Sequence, residues 1–206
     1  MRLPWALAIL CTIQSACGGD DTSAPSIPPD ADPPDALPVD ALPTDATVDG
    51  GPVFEHLIAH QDWQPTPVEE DPFADQIGER TRCEGIDELY VEQLGPDEVL
   101  SIDTSFCGYA TVHQPLLVDV AAGDELRLRR FHFPVNIPEV TEGYVALALN
   151  GEIVWSTTIP LPTESGGETV VWQADSDWPH GTPVHYHVHN HGANEWVLIE
   201  ILRAVE

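Results

Sequence analysis

The chain has 206 residues, of which 35 are Asp or Glu and seven are Lys or Arg, for a formal charge of −28. A surface this acidic repels nucleic acid phosphates and excludes nucleic acid as a partner. With 42% hydrophobic residues the chain still has the apolar content for a packed core.

The first residues read MRLPWALAILCTIQSACGGD. Arg2 precedes an apolar run from Leu3 to Ala16. That run is shorter than the roughly 20 residues needed to span a bilayer and has the size of a secretory signal h-region. Its end, QSAC, places small Ser15 and Ala16 before Cys17. It resembles the lipobox of bacterial lipoprotein signal peptides, with Gln14 standing where that family usually carries an aliphatic residue. The resemblance implies that residues 1–16 are removed and that Cys17 is lipidated. Gly18, in place of aspartate, implies delivery to the outer membrane or cell surface, with the membrane as a partner through the anchor. The alternative is an ordinary signal peptide cut after Ala16.

From Cys17 to Pro52 the chain has no aromatic and no basic residue, and it repeats Asp-Ala with proline every few positions. Such a segment has too little apolar surface to offset chain entropy, so it is expected to be a disordered linker. Proline and like charge extend it, to a reach on the order of 100 Å.

Residues 53–206 suit one domain. They hold six arginines, no lysine and 27 acidic residues, a formal charge of −21. The lipobox resemblance implies that Cys11 leaves with the signal and that Cys17 carries lipid, so Cys83 and Cys107 remain. In an oxidising compartment these two are expected to pair, for roughly 3 kcal/mol in the chain-entropy model.

Residues 54–82 read mostly as loop, and GIDELYVEQLG (85–95) suits a short helix or a strand equally. EVLSID (98–103) and LLVDV (116–120) are short apolar runs ended by turn residues. In AAGDELRLRRFHFP, Leu126 and Leu128 alternate with Arg127 and Arg129. The apolar role then passes to Phe131 and Phe133, which predicts a β-bulge at Arg130. GYVALALNGEIVWSTTIP is a hairpin whose Asn150-Gly151 suits a type I′ turn, with Trp155 on its core side. ETVVWQA, TPVHYHVHN and NEWVLIEILRAV follow, the last sending Val197, Ile199 and Ile201 to the core. About eight strands with almost no helix predict an all-β fold, an antiparallel β-sandwich or jelly roll. VAAGDELRLRRFHF with a late HxHxH strand loosely resembles the cupredoxin and multicopper-oxidase folds. A blue-copper site is not expected, because Met1 is the only methionine and the two domain cysteines pair.

The segment HYHVHNHGANEW sets the functional question. In a strand, Val184, Tyr186 and Val188 share one face, and His185, His187 and His189 share the other. The apolar side takes the core, which leaves the histidines toward solvent or a cleft. Successive Cα atoms on that face lie about 6.6 Å apart, close enough for two imidazoles to lean onto one ion. A further ligand is expected from His132, or in second place His113. Imidazole suits Zn²⁺ and Cu²⁺, the two candidate cofactors. The plain structural alternative is a packed or solvated polar row, titrating near neutrality. The rival ligand is a glycan, with Trp178 in the DSDWPHG loop as the exposed platform and His191 and Asn194 in the neighbouring turn as contacts.

The sequence carries no nucleophile elbow, P-loop, HExxH or dinucleotide fingerprint. The reading is therefore non-catalytic: a surface lipoprotein whose sandwich binds a ligand, either a divalent metal or a glycan. A structural or adhesive envelope protein is the third possibility. A metal-dependent hydrolase follows only if the histidines leave an ion with an open position.

Overall fold

The structure, a computed structural model, describes residues 52–85, 87–189 and 193–205. The expected signal peptide, Cys17, the expected linker up to residue 51, and His191 lie outside them.

Among the described residues, eleven strands form two antiparallel sheets. In chain order they are β1 (Val53–His56), β2 (Gln64–Pro65), β3 (Leu89–Leu94), β4 (Asp97–Asp103), β5 (Tyr109–Pro115), β6 (Glu125–His132), β7 (Thr141–Leu149), β8 (Glu152–Leu161), β9 (Gly166–Gln173), β10 (Pro183–His189) and β11 (Glu195–Val205). One four-residue helix, α1 (Ala74–Ile77), precedes β3. The first sheet runs β3-β4-β11-β6-β9, with β1 also paired to β11. The second runs β2-β5-β10-β7-β8. The expected antiparallel β-sandwich is therefore the fold.

The core lies between the sheets. Strand alternation sends Val184, Tyr186 and Val188 of β10 inward against Leu126 and Leu128 of β6, all of them buried. The β7–β8 hairpin turns at Asn150 and Gly151, with φ of 51° and 80°, the left-handed pair that a type I′ turn demands. Trp155 packs partly buried on the core. Cys83 and Cys107 are bonded.

Several expectations are corrected. LLVDV is not a strand; only Val120 bridges, to Trp178. GIDELYVEQLG becomes β3. No phase shift occurs at Arg130. The inward alternation of β6 continues through Arg130 and His132, both buried. Arg130 is tolerated there because Glu168 pairs with it and its guanidinium stands 5.8 Å from the Trp155 ring centre. The bulge lies on the partner strand instead, between Leu198 and Glu200 of β11. It puts Trp196, Leu198 and Ile201 between the sheets; Val197, expected in the core, is buried outside that cluster, and Ile199 is half-buried. Outward-facing Glu200 then meets Arg127 and Arg129 at 3.0 and 3.3 Å.

The outer face of the second sheet carries a third layer. Thr66 N donates to Thr111 O at 2.8 Å, and Ala59 N donates to Gln114 Oε1 at 2.9 Å. The Gln114 bond lies on the core side, where Leu57 and Ile58 join the core; the chain turns the sheet edge at β2, and residues 66–77 then cover the outer face. Phe73 then packs, fully buried, on Ala146 and Ala148 of β7. Two small residues at alternate outward positions leave the room that this ring fills.

Candidate functional site

The outer face of β10 holds His185, His187 and His189, as strand alternation predicts; His189 borders a cleft, but His185 and His187 do not face solvent. His187 is 0% exposed and His185 is 7% exposed. The covering layer explains this: Phe73 lies against His187 with ring centres 4.5 Å apart.

The nitrogens of His187 are both bonded. Thr111 Oγ1 donates to Asp71 Oδ2 at 2.8 Å. A hydroxyl has one proton, so Thr111 receives the 2.7 Å contact from His187 as an acceptor, and His187 Nδ1 carries the hydrogen. Burial, with His189 and Arg80 nearby, pushes the His187 pKa down to about 3. The ring is thus neutral at pH 7 and its Nε2 is bare. His187 Nε2 accepts from His189 Nδ1 at 2.9 Å. Every donor in the chain His189–His187–Thr111–Asp71 therefore points toward Asp71.

His132 does not join this row. It belongs to β6 in the other sheet and faces inward, with the sandwich between it and β10. Its ring packs on Trp196, 5.4 Å between centres, and stands so close to Gly166 that a Cβ there would come within 3.0 Å of Nε2. His132 Nδ1 is 3.0 Å from Phe133 O. Among the described residues no group of three or more His, Cys, Asp or Glu side chains is placed to hold a metal ion. His113, the second-choice partner, does stand beside the row. It is the direct cross-strand neighbour of His185, with rings stacked 6.0 Å apart.

Trp178 is not an exposed platform. It is 5% exposed, in the core, its backbone exchanging 2.8 Å hydrogen bonds with Val120. The loop around it is polar, but the indole inserts between the sheets because its area is worth more buried. Asn194 is buried, and its carbonyl accepts from Thr104 N and Oγ1 at 2.8 and 2.9 Å. His191 lies outside the described residues.

The His189 end of the chain opens on a surface cleft of about 670 Å³. Tyr144 of β7 stacks on His189, with ring centres 5.2 Å apart and planes at 26°. Gln76, Arg80, Thr141, Glu142 and Thr158 complete the polar part of the wall. Arg80 Nη1 donates to Ile77 O at 2.7 Å, which holds the guanidinium against the end of α1. The cleft thus offers an amide, a guanidinium, a carboxylate, hydroxyls and two stacked rings, backed by a buried network. Sequence reading missed Asp71, Phe73, Thr111 and Tyr144. The one trace in the sequence is Ala146 and Ala148, small residues alternating with Val145, Leu147 and Leu149.

No family model matches the chain, and no curated protein matches it. Among solved structures it is similar to a carbohydrate-binding module described for specific mannan recognition, at 9% identity and a TM-score of 0.41, over 74% of this chain and 94% of that one. It is similar to the N-terminal cellulose-binding domain of Cellulomonas fimi β-1,4-glucanase C, at 14% identity and a TM-score of 0.38, over 56% and 84%. It is also similar to the enzymatically active domain of tailspike protein 4 of bacteriophage CBA120, at 12% identity and a TM-score of 0.39, over 71% of this chain and 20% of that one. Likenesses this distant say nothing about ligand or activity, which rest on the side chains.

Proposed function

We propose that this protein is a lipid-anchored module displayed at the cell surface, which binds a neutral, hydroxyl-rich ligand of the glycan class without catalysis. The observation that carries the ligand reading is the cleft where Tyr144 stacks on His189 beside Gln76, Glu142 and Thr158. A sugar ring presents apolar C–H edges and hydroxyls that both donate and accept. An aromatic wall with amide, carboxylate and hydroxyl groups answers both needs. The −21 charge of the domain favours a neutral glycan over a polyanion. The QSAC end of the signal supports the anchor, and the acidic Pro-rich linker suits a stalk.

The test is a glycan array followed by calorimetry on the full-length protein and on Tyr144→Ala and Glu142→Gln. Saturable binding to a neutral glycan, lost in both folded variants, supports the reading. Binding that survives both substitutions moves the site elsewhere, and no binding to any glycan overturns the ligand class. Palmitate labelling that persists in Cys17→Ser would overturn the anchor.

A further inference from the structure

Four residues along β10 from His189, about 13 Å away, the same outer face carries a second histidine pair. β10 and β5 set His185 directly opposite His113. The two rings stack with centres 6.0 Å apart and planes at 29°. Both Nδ1 atoms are buried without a hydrogen-bond partner among the described residues. His187 is the contrast, since both of its nitrogens are spent on Thr111 and His189. A buried ring nitrogen left unsatisfied is a cost that native structures rarely keep without a reason.

We propose that His113 and His185 form a two-histidine site for a divalent transition-metal ion of the borderline class, Cu²⁺ above Zn²⁺. Metal–nitrogen bonds of about 2.0–2.1 Å, plus about 1.1 Å from nitrogen to ring centre, let two rings on one ion stand up to about 6.4 Å apart. The observed 6.0 Å is within that span, which two stacked rings reach once rotation about χ1 and χ2 turns both Nδ1 lone pairs toward one ion. Burial, with His113 adjacent, lowers the His185 pKa and keeps a lone pair for the ion. Glu70 and Asp71 of the covering layer place negative charge close enough to act on the same ring, which favours a cation. Imidazole pairs suit Cu²⁺ best along the divalent series, with water completing the coordination. The site is separate from the Tyr144 cleft and does not depend on the glycan reading.

The experiment uses the full-length, untagged protein, stripped with chelator and titrated with Cu²⁺. Calorimetry gives affinity and stoichiometry, and electron paramagnetic resonance counts coordinated nitrogens. The expected result is one equivalent bound with two imidazole nitrogens. His113→Ala and His185→Ala each weaken binding about tenfold or more, a shift of one decade in Kd. His180→Ala, on the exposed surface, leaves it unchanged. A parent that binds no Cu²⁺, or a spectrum with a single nitrogen, overturns the proposal. So does a folded His113→Ala or His113→Gln variant that binds as well as the parent. If the alanine variants fail to fold, the nitrogen count of the parent decides.

Discussion

Phe73 lies nearly parallel to His187, with ring planes at 22° and centres 4.5 Å apart. This contact turns an exposed histidine row into a buried layer. Phe73 comes from a loop, His187 from the middle of the second sheet, and the fit depends on Ala146 and Ala148 beneath the ring.

Phe73→Ala should cost about 3–5 kcal/mol, the range for deleting a fully buried phenylalanine. It should also re-expose His187, whose pKa then rises toward the ordinary histidine value. Urea unfolding and a histidine NMR titration measure the two effects. A loss below about 1 kcal/mol would mean that the layer is not held by this ring.

The donor chain makes a sharper prediction at Thr111. Thr111→Val keeps the shape but neither donates to Asp71 nor accepts from His187. The cost should be about 1–3 kcal/mol, the penalty for buried polar groups left unpaired. Thr111→Ser should recover most of it. Nitrogen-15 NMR of the imidazoles reads the arrangement directly: the parent should show His187 and His189 both protonated at Nδ1. A parent with His187 protonated at Nε2 would reverse the assigned direction.

Acid should destabilise the protein through His187. Its folded pKa lies near 3, below the 6.5 of the unfolded chain. Above pH 6.5 neither state takes up the proton, so this contribution to stability is complete. Between 6.5 and about 3 only the unfolded chain protonates, and stability falls by about 1.4 kcal/mol per pH unit for this group. Below that window its contribution stops changing. Lowered pKa values at His185 and His60 act in the same direction. Unfolding free energies of the parent and of His187→Gln, compared from pH 7 to 4, isolate the term. Parallel slopes would refute it.

The sequence by itself determined most of the strands from β4 onward and most of their faces. Val184, Tyr186 and Val188 had to point opposite to His185, His187 and His189, because side chains alternate along any strand. Asn150-Gly151 had to turn, because these two residues tolerate positive φ. The disulfide followed from arithmetic, since only two cysteines remain in the domain. What the sequence left open is which strands become neighbours and what covers a face. His132 and His187 look equally available as text, yet they lie on different sheets with the core between them. Trp178 reads as a loop residue, yet its indole is buried because the loop folds back against Val120. The Asp71–Thr111–His187 chain spans residues more than 100 positions apart. Only the tertiary structure decided that it exists, because its bonds require the 66–77 segment to lie over β5, β10 and β7. No local propensity encodes that docking; it depends on Phe73 finding the space that Ala146 and Ala148 leave.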